Sequence, residues 1–86
     1  MDINQLSAIV KKKILQHKFV QNVEIEDKSF LHTNHSSNDI SKFHLRLKIE
    51  SEELKNKNRL ESNKLIYKIL DNEMKNYIHS LQILFI

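Results

Sequence analysis

Apolar residues at Ile3, Leu6, Val10 and Ile14 recur every three to four positions, the spacing of one helix face. Asp2 stands where an N-cap is favoured, and Lys11 and Lys12 lie off the apolar stripe, so the pattern predicts a helix over about residues 2–17. The period then shortens to two. In VQNVEIED, Val23 and Ile25 alternate with Glu24 and Glu26, which predicts a half-buried strand. The stretch KSFLHTNHSSND is rich in Ser, Thr, Asn and Asp and reads as a loop. A loop that long in a small domain is often functional. Phe43, Leu45, Leu47 and Ile49 then alternate with His44, Arg46, Lys48 and Glu50, the clearest strand in the chain.

Ser51 is placed to cap a short helical turn, EELK, before the polar bend NKN. A second long helix is predicted from about Arg59 to Lys75, burying Leu65, Ile66, Ile69, Leu70 and Met74, and a closing strand runs from Ile78 to Phe85. The order α-β-β-α-α-β, without an internal repeat, predicts one α+β domain over residues 1–86 with helices on one face of a three-stranded sheet.

Composition narrows the options. A chain of 86 residues buries about 60% of its unfolded surface, so stability is expected to be modest. An apolar share of 40% and a charged share of 29% fit a globular chain rather than a disordered one. No apolar run suits a membrane span and no signal-peptide pattern is evident, so the cytosol is the expected compartment. Cysteine is absent, which excludes disulfides and any thiolate site built from this chain alone. The net charge of +3 favours acidic partners only mildly. Glycine and proline are also absent, leaving Asn as the residue best able to occupy left-handed turn positions.

No phosphate-binding glycine loop, zinc-binding His-Glu helix or nucleophile elbow is present. Ser80 next to His79 is not expected to form a dyad, since neighbouring strand residues point to opposite faces. Catalysis is therefore not expected. Among the five histidines, His17 suits a helix C-terminus, where a cation is favoured. His44 alternates with the apolar face of its strand and is read as structural, or as support for a ligand. His79 opens an apolar strand, where an imidazole needs a hydrogen-bond partner or a ligand. From the residues alone it is either a core-edge histidine bonded to a backbone carbonyl or a metal ligand.

Several stretches in collinear order resemble the BolA family. EIEDKSFLH is similar to the family's first strand and the loop after it, and FHLRLKIES to its second strand. KLIYKILDNEM resembles the family's Val/Ile-Tyr-x-x-Leu helix, and IHSL its C-terminal [VI]-H-[AS]-L signature. Leu54 and Asn56 stand where the family has Phe-x-Gly, and Ser62, Asn63 and Lys64 where it has Arg-His-Arg. The resemblance implies a mixed sheet in a type II KH-like fold. It also implies that the free protein is a monomer or weak homodimer, and that it binds a monothiol glutaredoxin and shares a [2Fe–2S] cluster. In that reading His79 is a cluster ligand, His32 its loop partner with His35 competing for the role, and the thiolates come from the glutaredoxin cysteine and glutathione. An imidazole in place of thiolate raises a cluster's reduction potential and makes the bond sensitive to protonation. The second expectation is nucleic-acid binding of the transcription-regulating type, with Lys55, Lys57, Arg59, Lys64 and Lys68 as candidate phosphate contacts. The glycine clamp of a KH domain cannot be built here, and such a basic strip is more often a solvated helix face.

Overall fold

The computed structural model describes residues 1–29 and 42–86. Helix α1 (Ile3–Leu15) begins in a capping box: Gln5 N–H donates to Asp2 Oδ1 at 2.8 Å and Asp2 N–H to Gln5 Oε1 at 3.0 Å. Its apolar stripe buries Leu6, Val10 and Ile14, and it closes with Lys12 and Lys13 near its negative end. Strands β1 (Asn22–Asp27), β2 (Phe43–Glu50) and β3 (Ile78–Phe85) form one sheet in the order β1-β2-β3. β1 and β2 are antiparallel, whereas β2 and β3 are parallel. Parallel neighbours require a crossover, supplied here by α2 (Glu52–Asn56), α3 (Arg59–Ile69) and α4 (Asp71–Asn76).

The inward residues of all three strands meet those of the helices in one core. Leu6, Val10, Ile14, Leu47, Ile49, Ile66 and Leu70 are fully enclosed, and Val23, Leu45, Ile78, Leu81 and Ile83 complete the sheet side. The result is the mixed three-stranded α+β sheet with helices on one face that the pattern and the family resemblance together led one to expect.

The expected long helix from Arg59 to Lys75 is two helices. Leu70 leaves the helical backbone region at φ −99° and ψ 23°, and its N–H reaches both Ile66 O and Lys68 O. The break re-aims the last turns so that Glu73 is buried (2% exposed), while Met74 is only half-buried. Glu73 is held there by Lys13 of α1, whose Nζ lies 2.9 Å from Oε1 and 2.7 Å from Oε2.

Left-handed turns are not used among the described residues. No described residue has a positive φ. Asn58 instead caps α3, its side-chain oxygen accepting from Leu60 N–H at 2.8 Å and Glu61 N–H at 3.4 Å. Ser51 caps α2 as expected and also donates to Phe19 O at 2.5 Å, tying the crossover to the segment after α1. Ser62 is enclosed and donates to Leu54 O at 2.8 Å, so the first residue of Ser62-Asn63-Lys64 joins α3 to α2 rather than facing a ligand.

Candidate functional site

The first residues of β3 carry the site. Phe43 pairs with Ile78 but His44 pairs with Ser80, so the register slips by one residue and His79 is the extra one. A bulge of this kind interrupts strand alternation and re-aims side chains. Ile78 enters the core at 2% exposure, His79 and Ser80 are both exposed, and Leu81 turns inward again. The expectation that His79 and Ser80 face opposite ways therefore fails, because it assumed an unbroken period of two.

Both residues meet His44. Its ring centroid lies 4.8 Å from that of His79 with the planes tilted by 54°, and its Nδ1 is 2.6 Å from Ser80 Oγ. Backbone bonds fix His44 from the other side: its N–H donates to Ser29 Oγ at 3.1 Å, and its carbonyl accepts from Lys28 N–H at 2.7 Å. His44 is thus in ring contact with His79, closer than its place in the strand pattern indicated. One signal was present in the sequence. Ile78 and Leu81, both inward, are three apart in a strand, a spacing that an unbroken period of two does not give.

Tyr67 of α3 closes the region above β3, its hydroxyl donating to Leu81 O at 3.0 Å. The His79 ring takes no hydrogen bond among the described residues, and so is not the carbonyl-bonded core-edge histidine that was one of its two readings. His32 and His35 lie outside the described residues. Among the described residues no group of three or more metal-binding side chains is assembled, and the chain has no cysteine. The donor that the described residues present at the bulge is an exposed imidazole, a ligand type suited to iron, copper and zinc.

The candidate phosphate contacts sit elsewhere. Lys55 is in α2, Lys57 follows it, and Arg59, Lys64 and Lys68 are on α3; all five are exposed. Lys64 and Lys68 share a helix face at i,i+4. His17 follows α1 and rests its ring 5.1 Å from Phe19, a packing role.

A small mixed α+β sheet covered on one side by helices, with an exposed histidine at a bulge, defines the class of domain. Residues 15–85 match the family model of BolA-like proteins, and the chain belongs to that family. It is 29% identical over 79 residues to SufE-like protein 1, chloroplastic/mitochondrial, of Arabidopsis thaliana; the match takes in 86% of this chain but only 21% of that relative. The chain thus spans about a fifth of the length of this curated relative. Among solved structures it is similar to the BolA domain of SufE1 from Arabidopsis thaliana, with a TM-score of 0.75 and 26% identity over 99% of this chain and 92% of that one. BolA1 from the same plant shares the fold with a TM-score of 0.72 at 24% identity, covering 91% of this chain and 86% of that one. No helix among the described residues is long and apolar enough to cross a membrane.

Proposed function

We propose that this chain is a non-enzymatic BolA-type adaptor that docks on a monothiol glutaredoxin and contributes histidine ligands to a shared [2Fe–2S] cluster. Its role would lie in Fe–S assembly, cluster delivery or iron regulation. The observation that carries the reading is the bulge at His79, which turns an imidazole out of the core into an exposed position without a hydrogen-bond partner among the described residues. His79 is the first ligand in this reading, and His32 the second, with His35 as the competing loop donor. The chain has no cysteine, so in this reading the thiolates come from outside it, and the family resemblance is what points to the glutaredoxin and glutathione as their source. A bound cluster would supply the redox-active iron, and this chain's part would be to present imidazole ligands to it. The likeness to the BolA domain of a SufE-like protein supports a partner-module role, since there a BolA domain is one part of a longer chain. A cytosolic address is part of the same proposal.

Coexpression with a monothiol glutaredoxin from the same source, followed by visible absorption and circular dichroism, tests it. His79→Ala is expected to change the spectrum of the mixed complex, and an unchanged spectrum eliminates His79 as a ligand. His32→Ala and His35→Ala, measured in the same way, identify the loop donor.

A further inference from the structure

We propose that the helix-free face of the sheet carries an oxyanion site beside His79, in which Arg46, with Lys28, Ser80 and Gln82 around it, binds a carboxylate or phosphate group of a small ligand. Strand pairing builds it. Glu26, Arg46 and Gln82 form one cross-strand row, and His44 and Ser80 form the next, with Lys28 N–H bonded to His44 O at its end. A shallow depression of about 350 Å³ opens over these two rows, lined by Lys28, His44, Leu45, Arg46, Ser80, Leu81 and Gln82. That volume is at the lower end of the roughly 300–1,000 Å³ of small-molecule pockets and suits a compact head group.

The charges are unbalanced in favour of an anion. Glu26 is the one carboxylate in these rows, and it is already engaged by Lys28 at 3.1 Å and Lys48 at 3.6 Å. The Lys28 hydrogen bond foremost, then the charges of Lys28, Lys48 and Arg46, outweigh partial desolvation and hold the Glu26 carboxyl below its usual range. Among the described residues, Lys28 and Arg46 thus share a single carboxylate in these two rows, while Lys48 stands in the next row opposite Glu24. Arg46 forms no ion pair among the described residues, and its Nε is buried without an acceptor. Arg46 lines the depression without a carboxylate paired to it among the described residues, and an oxyanion offers its guanidinium a charge-assisted, geometrically matched acceptor. Ser80 Oγ and the Gln82 amide add neutral hydrogen-bonding groups on the adjoining strand.

The test needs neither a glutaredoxin nor a cluster, so its failure and that of the adaptor reading are separate events. The ¹⁵N-labelled full chain is titrated at low ionic strength with inorganic phosphate and, separately, with S-methylglutathione, a carboxylate source without a free thiol. Saturable shifts at the Arg46, Ser80 and Gln82 amides are expected from at least one probe, and the probe that saturates assigns the chemistry to phosphate or to peptide carboxylate. Arg46→Gln is expected to weaken binding at least fivefold, and Lys11→Gln, an exposed substitution on α1, to leave it unchanged. Gln82→Glu, which adds a negative charge to the site at an exposed position, should weaken binding to a similar degree. Shifts that stay linear with both probes, that chloride reproduces at equal ionic strength, or that survive both Arg46→Gln and Gln82→Glu overturn the proposal.

Discussion

The imidazole of His44 on β2 lies against that of His79 on β3, with ring centroids 4.8 Å apart, and Ser80 Oγ holds His44 Nδ1 at 2.6 Å. The contact exists because the register slips between Phe43 and His44, which leaves His79 and Ser80 both outside the core. Whatever fixes the His44 ring thus sets part of the surroundings of the proposed ligand. Ser80→Ala removes one hydrogen bond at an exposed position, so the stability change is expected to stay within about 0.5 kcal/mol. The ring-proton resonances of both His44 and His79 should nevertheless move. If those of His79 are indifferent to Ser80→Ala and to His44→Ala alike, the two rings are not in contact in solution.

Lys13 and Glu73 join α1 to α4 through a carboxylate that is 3% exposed in its side chain and an ammonium that is 38% exposed. Removing the lysine strands a buried charge, whereas removing both leaves an apolar contact. Lys13→Met is expected to lower stability by about 1–3 kcal/mol, a range that allows for the water already reaching the lysine. The double variant Lys13→Met/Glu73→Met should recover most of that loss. Urea unfolding midpoints of the three proteins check the ordering.

The same pair sets an acid limit. Burial opposes ionisation of Glu73, but the Lys13 hydrogen bond, the backbone N–H of Glu73 itself and the Lys13 charge together hold its carboxyl below the ordinary value of 4.5. The folded state therefore prefers the ionised form more than the unfolded chain does. This contribution is complete above about pH 4.5 and is lost as pH falls through that value and then through the lower folded one. Thermal midpoints measured from pH 7 down to 3 should decline more steeply for the native chain than for Glu73→Gln, which has no proton to take up at that position.

The strands and α1 were legible because their patterns are local. Leu45, Leu47 and Ile49 must face one way along any extended backbone, and Asp2 followed by Ile3 and Leu6 specifies a capped amphipathic helix. What escaped depends on partners distant in sequence. The break at Leu70 turns Glu73 toward Lys13, and a buried glutamate reads as a surface residue until its lysine is known. Ser62 reads as a lost basic residue until Leu54 O is seen to need a donor. The histidine at position 79 was marked by the IHSL signature, but its exposure comes from a register slip fixed jointly by β2 and β3.

The exposed strip of Lys55, Lys57, Arg59, Lys64 and Lys68 makes the competing nucleic-acid reading testable by salt alone. Phosphate contacts release counterions, and each lowers the slope of log K against log salt by about 0.9 on duplex DNA. Even if all five side chains engage, the slope is about −4.5, so affinity falls roughly 500-fold between 50 and 200 mM salt. Mobility shifts with duplex DNA at these two concentrations are expected to show weak, sequence-indifferent binding that vanishes at the higher one. Lys64→Gln together with Lys68→Gln should make the slope shallower by about 1.8 if those two residues touch phosphates. Binding that persists near physiological salt and discriminates between sequences would need base contacts that a basic strip of this kind does not provide. That outcome would place transcriptional control ahead of the adaptor role.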